Sequence, residues 1–427
     1  MGGCTVGNDA PAETRRREAR HADGTEAGTV IRAARAVLLT AALTHVVHDG
    51  FSDALYVLLP IWAGEFRLTL TQVGILKAVY TGGMAASQVP AGLLAERWGE
   101  RQLLAAGTAV AALGYLAVAT SATGMLPLVG LLLLSGLGSG VQHPLSSSLV
   151  AHAYETGPRR TALGTYNFAG DIGKIAVPAA VALAATFVGW RAATGVYALL
   201  GLASAAVIAV VLAWLKAGGT VVHAEGAPVG AGSWGIRDAR GFQALSAVGM
   251  IDTATRTALL TFLPFLLLEK GLTVAGVGVA LAVLFAGGAA GKFVCGLVAE
   301  RVGIVRTVVL TELATALGIA AIALGSLTVA LAVLLPLGVA LNGTSSALYA
   351  TVADLVLPER RARAYGLYYT LVVAASAAAP LAYGALGDAF GVMATLLVTS
   401  AVVLLTLPLC FVLRTALAQP EGTRIPA

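Results

Sequence analysis

His45, His48, Asp49, Ser52 and Asp53 lie three and four residues apart inside an otherwise apolar run, and on a helix that spacing stacks them along one face. Imidazole changes charge near neutral pH, and the carboxylates beside it are further places for a proton, so this face can load and release one. A polar seam joining the helix to its neighbours is the structural alternative. His45, His48 and Asp49 could ligate a metal, but three donors without a clearer set carry no such assignment, and neither a metal nor another cofactor is expected. Asp171 and Lys174, one turn apart, read as an ion pair, either structural or part of a pathway. Asp252 and Arg256 are four apart and central in their run. Lys292, His143, Asn167, Tyr368 and Tyr369 complete the set of polar groups that a cavity would use, with snorkelling to the membrane surface as the alternative for Lys292. Lys77, near the end of its run, is expected to snorkel. His143 precedes Pro144, which removes a backbone donor and is expected to bend its helix.

What must position these residues is a membrane. The chain is 58% hydrophobic and 11% charged, with a mean hydropathy of +0.84. Charged side chains in hydrocarbon cost roughly 2.5 to 3.5 kcal/mol each on insertion scales, so those retained face a cavity or mark a pathway. Twelve apolar runs are long enough to span: 36–63, 70–94, 102–121, 124–149, 162–187, 192–215, 242–267, 273–298, 305–325, 328–353, 363–386 and 391–413. Backbone groups in hydrocarbon must pair within the segment, so the runs should be helices. With both ends of the chain cytoplasmic, 20 Lys and Arg fall on the cytoplasmic side and three, Arg67, Arg191 and Lys270, on the other. The remaining four of the 27, Lys77, Lys174, Arg256 and Lys292, lie within spans. This asymmetry obeys the positive-inside rule, and an error of one helix would scramble it. The basic residues sit in short loops, which points to anionic lipid headgroups and excludes a nucleic-acid role.

The chain also repeats itself. Gly92-Leu93-Leu94-Ala95-Glu96-Arg97-Trp98-Gly99 returns 204 positions later as Gly296-Leu297-Val298-Ala299-Glu300-Arg301-Val302-Gly303, and Val73-Gly74 returns as Val277-Gly278. An offset of 202 lays Gly164, Tyr166 and Pro178 on Gly366, Tyr368 and Pro380. The expected fold is all-α and integral to the membrane, twelve transmembrane helices in two pseudo-symmetric six-helix bundles, the signature of a transporter. Residues 1–33 read as a flexible tail, 34–215 as the first bundle, 216–241 as a cytoplasmic linker, 242–413 as the second bundle and 414–427 as a second tail. Cys4, Cys295 and Cys410 are odd in number, two of them in lipid, and no structural disulfide is expected.

The loop motif Gly92, Leu93, Ala95, Glu96, Arg97, Gly99, Arg101 resembles the marker of the major facilitator superfamily, with Glu where that family carries Asp. Within it, the first half resembles the fosmidomycin-resistance-type efflux proteins, through His45, Asp49, Glu65-Phe66, Leu68-Thr69, Gln72-Val73-Gly74, His143-Pro144 and Ser146-Ser147. It departs from them at Leu145, Asp171 and Lys174. The resemblance implies that Gly92, Glu96, Arg97, Gly99 and Arg101 form a cytoplasmic gate, the acid meeting the start of the eleventh helix and Arg97 meeting the end of the fourth, where Glu155 is the candidate partner. Glu300 and Arg301 would form the weaker mirror contact.

The expected function is proton-coupled secondary transport by alternating access, with His45, His48, Asp49 and Asp53 exchanging the proton. His143, Asn167, Asp171, Lys174, Asp252, Arg256 and Lys292 would line the cavity. Mixed charges suit a small polar, anionic or amphipathic organic compound, exported; a symporter importing such a metabolite is the alternative. The expected setting is a bacterial inner membrane, as a monomer. An enzyme built on His143 and Ser146 lacks a strained nucleophile turn or ordered triad, and no Gly-Lys-Ser/Thr loop supports ATP drive.

Overall fold

The computed structural model describes residues 12–155, 157–219, 235–352, 354–357 and 361–418, apart from the side chains of 12–30, Glu96, Arg160, Ser346, Ala347, Ala350 and 361–363. Thirteen helices carry the described chain: α1 Ala12–Phe66, α2 Leu70–Trp98, α3 Glu100–Ser121, α4 Met125–Ser139, α5 Gln142–Ala153, α6 Arg159–Trp214, α7 Ala239–Glu269, α8 Val274–Val302, α9 Ile304–Leu324, α10 Leu327–Val352, α11 Arg361–Phe390, α12 Val392–Val403 and α13 Thr406–Ala418.

Nine helical stretches among the described residues are long and apolar enough to cross a membrane. One of them, Thr161–Trp214, bends at Gly189 and supplies two crossings. Segments 36–63 and 70–94, in α1 and α2, are not among those nine; they are helical throughout, and with them the count reaches the twelve expected spans. The fourth span is α4 and α5 together. The helix breaks at Gly140–Val141, and Pro144 then sits in the first turn of α5, where a missing N–H costs little. The twelfth span is α12 and α13, interrupted at Leu404–Leu405. One expectation is corrected: α1 begins at Ala12, inside the segment read as a flexible tail, because Ala, Glu and Arg are strong helix formers and dominate that stretch. Residues 1–11 and the linker core 220–234 lie outside the described residues. The end of the linker pairs as Ile236 with Val356, Arg237 N–H donating to the Leu355 carbonyl at 2.9 Å.

The repeat is written in backbone geometry. α2 and α8 have 29 residues each, open on Thr69 (φ −73°, ψ 163°) and Thr273 (φ −77°, ψ 162°), and close on Gly99 (φ 82°) and Gly303 (φ 89°). Gly189 and Gly391, 202 apart, turn between consecutive spans at φ 79° and 84°. These left-handed angles suit glycine.

The bundles meet at the end that carries loops 67–69 and 271–273. There Tyr56, Val57 and Ala182 of the first half pack in one buried cluster with Leu259, Leu263, Leu281 and Leu284 of the second. Two crossings related by the repeat bring backbones together: a Cβ on Gly74 would stand 2.1 Å from the Pro380 carbonyl oxygen, and one on Gly278 would stand 3.0 Å from Ala179 Cα and 3.2 Å from the Pro178 carbonyl oxygen. Asp388, at the end of α11, caps α2 across this contact, accepting from the N–H groups of Leu70 at 2.6 Å and Thr71 at 2.9 Å. An acid at a helix N-terminus is stabilising because it meets unpaired donors and the positive end of the dipole. At the opposite end, four glycines that the repeat relates in pairs, Gly92 with Gly296 and Gly164 with Gly366, have nothing among the described residues within 4 Å of the position a Cβ would take.

Because the Gly74 neighbour is backbone and cannot rotate away, Gly74→Ala is expected to pry apart the 67–69 end. Spin labels on Arg67 and Phe390 should report a longer separation in this variant than in the parent. An unchanged distance distribution would remove the argument.

Candidate functional site

A cavity of about 570 Å³ lies between the bundles, lined from the first half by His45, Asp49, Asp53, Asn167, Asp171 and Lys174 and from the second by Arg256, Lys292, Asn342, Tyr349 and Tyr369. A second space of about 230 Å³, which shares Thr253, Arg256, Ser345, Tyr349 and Ser376 with the first, adds His143, Asp252 and Tyr368. The cavity residues expected from the sequence therefore border these two neighbouring spaces, drawn from α1, α5, α6, α7, α8 and α11. Lys292 does not snorkel. Its Nζ donates to both oxygens of Asp171 at 2.7 and 2.6 Å and so joins α8 to α6 across the bundle boundary. Asp171 is also 3.8 Å from Lys174, whose closer partner is Asp49 at 3.3 Å. The expected isolated pair is thus part of a chain, Asp49, Lys174, Asp171, Lys292, which runs from α1 to α8.

Asp49 is the hub of the α1 face. His45 Nε2 lies 3.2 Å and His143 Nε2 3.5 Å from the same carboxylate oxygen, Oδ1. The other ring nitrogen of His45, Nδ1, is 2.9 Å from the Tyr166 carbonyl oxygen. A carbonyl only accepts, so Nδ1 carries the hydrogen, and the ring is held by stacking on Tyr166 with centroids 4.1 Å apart. Helical spacing alone places His45 one turn from Asp49; His143 is delivered by the break between α4 and α5. His45, Asp49 and His143 offer donor atoms within 4.8 Å of one another, as a metal would require. Lys174 already neutralises this carboxylate, so a divalent ion there would meet an ammonium at close range, and the set suits a proton better.

His48 is buried, and neither of its ring nitrogens has a hydrogen-bond partner; its ring stands edge-on to His143 with centroids 5.7 Å apart. Asp53 is buried one turn beyond Asp49, and its Oδ2 is likewise unpartnered. Lys77 departs from the sequence expectation. It is buried, donating to the Ser52 carbonyl at 3.4 Å, with its ammonium 4.2 Å from the Tyr56 ring centre. A carbonyl and an aromatic face replace water there, which removes the reason to reach for the membrane surface. In the second half Asp252 and Arg256 form an ion pair of 2.5 Å.

Three contributors are not anticipated by the sequence reading. Lys77 belongs to the buried seam and not to the membrane surface. Glu312 is an acid in the interior of an apolar run and is legible as such, and Asp388 has its partners more than 300 positions away, where no local pattern points.

The loop motif occupies the end where the bundles part. Arg97, Glu300 and Arg301 are exposed, and the side chain of Glu96 lies outside the described residues. No ion pair joins Arg97 to Glu155 among the described residues, so that expected contact is not formed in this conformation. Arg101 instead donates its backbone N–H to the Gly218 carbonyl at 2.9 Å, next to Gly99. If these residues close the end in another conformation, Arg97→Ala should slow turnover severalfold while leaving expression unchanged. Transport at the parental rate in that variant would exclude them from the gate.

A family model described as Major Facilitator Superfamily matches residues 41–239 and 245–426. None of the curated proteins matches the chain. Among solved structures, a bacterial homolog of the human lysosomal transporter Spinster, inward-facing and unoccupied, superposes with a TM-score of 0.77 at 16% identity, covering 90% of this chain and 98% of that one. The nucleoside transporter NupG gives 0.74 at 13%, covering 90% and 100%. A mutant of the peptide transporter POT, in complex with sulfate, gives 0.73 at 16%, covering 88% and 93%. At these identities the likeness is one of fold. Two helical bundles related by a 200-residue repeat, a charged cavity between them and a family match along nearly the whole chain make this protein a membrane transporter of the Major Facilitator Superfamily.

Proposed function

We propose that the protein is a proton-coupled secondary transporter that exports a small polar, anionic or amphipathic organic compound, with both termini cytoplasmic in a bacterial inner membrane. One observation carries the coupling. With Nδ1 of His45 committed to the Tyr166 carbonyl, its Nε2 and Asp49 Oδ1 face each other at 3.2 Å, both buried. Nε2 makes no hydrogen bond in this conformation, and a bare imidazole nitrogen and a carboxylate are both acceptors, so a proton taken up by either group would turn this close approach into an attraction. What is passed on through Lys174 is the change of charge and not the proton, because an ammonium has no lone pair to accept one. When Asp49 is neutralised, Lys174 loses its nearer partner and turns to Asp171, which weakens the hold of Asp171 on Lys292 and with it the strap between bundles.

In this orientation the 67–69 end is periplasmic and the conformation described is inward-facing. Export follows from the resemblance of the first half to fosmidomycin-resistance-type proteins; import by proton symport is the second reading. The cationic groups Lys174, Lys292 and Arg256 around the cavity favour a substrate with an anionic group. The test is counterflow in proteoliposomes with a panel of anionic, zwitterionic and cationic compounds, with and without an imposed pH gradient. Uptake driven only by a sodium gradient, or confined to cations, would overturn the reading.

A further inference from the structure

Glu312, on α9, is 1% exposed, and neither carboxylate oxygen has a hydrogen-bond partner. The Asp252 carboxylate on α7 neighbours it, itself 3% exposed and paired with Arg256, and neither carboxylate when ionised has a hydrogen to give the other. Among the described residues the other groups that act on the pair are Thr344 and Tyr349 on α10, Tyr368 on α11 and Cys410 on α13. None of these brings a second positive charge. Two ionised carboxylates beside one guanidinium would leave a net negative charge buried in a membrane protein and two sets of lone pairs opposed. A carboxylic acid beside a carboxylate removes both problems, because its O–H donates to the other oxygen.

We propose that Glu312 and Asp252 share one proton, Glu312 as the neutral acid donating to the Asp252 carboxylate, and that the pair is a second proton-binding site, in the C-terminal bundle. Asp252 and Arg256 border the cavity, whereas Glu312 stands behind them. Asp252 is therefore the route by which the proton reaches solvent. The pair also explains why Arg256 can be offered to a substrate: an anionic group that takes the guanidinium leaves behind a hydrogen-bonded acid pair instead of a bare dianion. The site has no twin in the first half, where the position 204 residues earlier is Thr108, a hydroxyl satisfied by its own helix through the Leu104 carbonyl at 2.8 Å. The proposal belongs to the proton-coupled reading above but uses none of the Asp49 cluster.

The experiment is infrared spectroscopy of the full chain in lipid nanodiscs at neutral pH, exchanged between H₂O and D₂O. The parent is expected to show a carbonyl band of a buried protonated carboxyl that shifts on deuteration. Glu312→Gln should remove it, Asp252→Asn should displace it, and Asp49→Asn should leave it in place. That last variant separates this site from the Asp49 reading, since coupling can fail at Asp49 with the band intact. Glu312→Gln keeps an N–H where the acid had O–H, so its melting temperature should match the parent. Superimposable spectra of parent and Glu312→Gln would overturn the proposal. So would a sodium-dependent rise in melting temperature, NaCl against choline chloride, that Glu312→Gln abolishes, because the pair would then hold a metal cation in place of the proton.

Discussion

Asp49→Asn is expected to abolish accumulation against a gradient while leaving exchange of substrate across the membrane. Exchange needs only binding and reorientation, whereas accumulation needs a group that gains and loses charge in each cycle. Asn is close in size to Asp and can still meet His45 and Lys174, but it takes up no proton. The buried position of Asp49, with His45 and His143 on one oxygen and Lys174 on the other, means that its charge is felt by three elements, α1, α5 and α6. The measurement is transport in proteoliposomes of the compound found by counterflow, first with an imposed pH gradient and then with substrate equal on both sides. A pH gradient that still drives uphill transport in Asp49→Asn would move the coupling to Asp252 or Asp171.

Lys174→Ala is expected to be more damaging than Asp171→Asn, in both yield and transport. Removal of one partner from a buried ion pair strands the other and typically costs about 3 to 5 kcal/mol. Loss of Lys174 strands Asp49, which has only imidazoles left, while loss of the Asp171 charge still leaves Lys174 on Asp49. Lys292 then loses its carboxylate partner, but it is partly exposed to the cavity and water can serve it. The double variant Asp171→Asn, Lys174→Ala should not recover the transport rate, because the relay from Asp49 to Lys292 is cut in either case. Full recovery of transport would show that the pair serves structure alone, since the two deletions would then compensate each other. Thermal melting of each purified variant, alongside its rate, separates stability from turnover.

Much of the architecture is legible in the sequence because membranes impose so few solutions. Apolar length, the Arg-rich loops and the 204-residue echo each constrain the fold independently. The helical face of His45, Asp49 and Asp53 is legible too, since it depends only on spacing within one helix. What spacing cannot supply is rotation and partner. Whether Lys292 points along the membrane normal or across to Asp171 depends on how α8 is turned against α6, and those residues are 121 positions apart. Lys77 is hidden for the same reason: its depth in the span is readable, but the Tyr56 ring that receives it belongs to another helix. The tail misleads because a charged segment can be a good helix former without burying an apolar face.

Gly92, Gly164, Gly296 and Gly366 sit in helices, touch nothing among the described residues where a side chain would begin, and need no unusual backbone angle. Each costs its helix roughly 0.5 to 1 kcal/mol relative to alanine, a loss that nothing in this conformation returns. They lie on α2, α6, α8 and α11, the same four helices that cross closely at the other end through Gly74 and Gly278. If the protein works by alternating access, as proposed, the missing side chains fit surfaces that are apart here and would meet elsewhere in the cycle, α2 on α11 and α6 on α8. On that reading the molecule keeps a second resting place in reserve at the expense of the first. With alanine at all four positions it should melt at a higher temperature and carry nothing, a protein made sturdier by forgetting its other shape; undiminished transport in that variant would mean that the four gaps are mere vacancies.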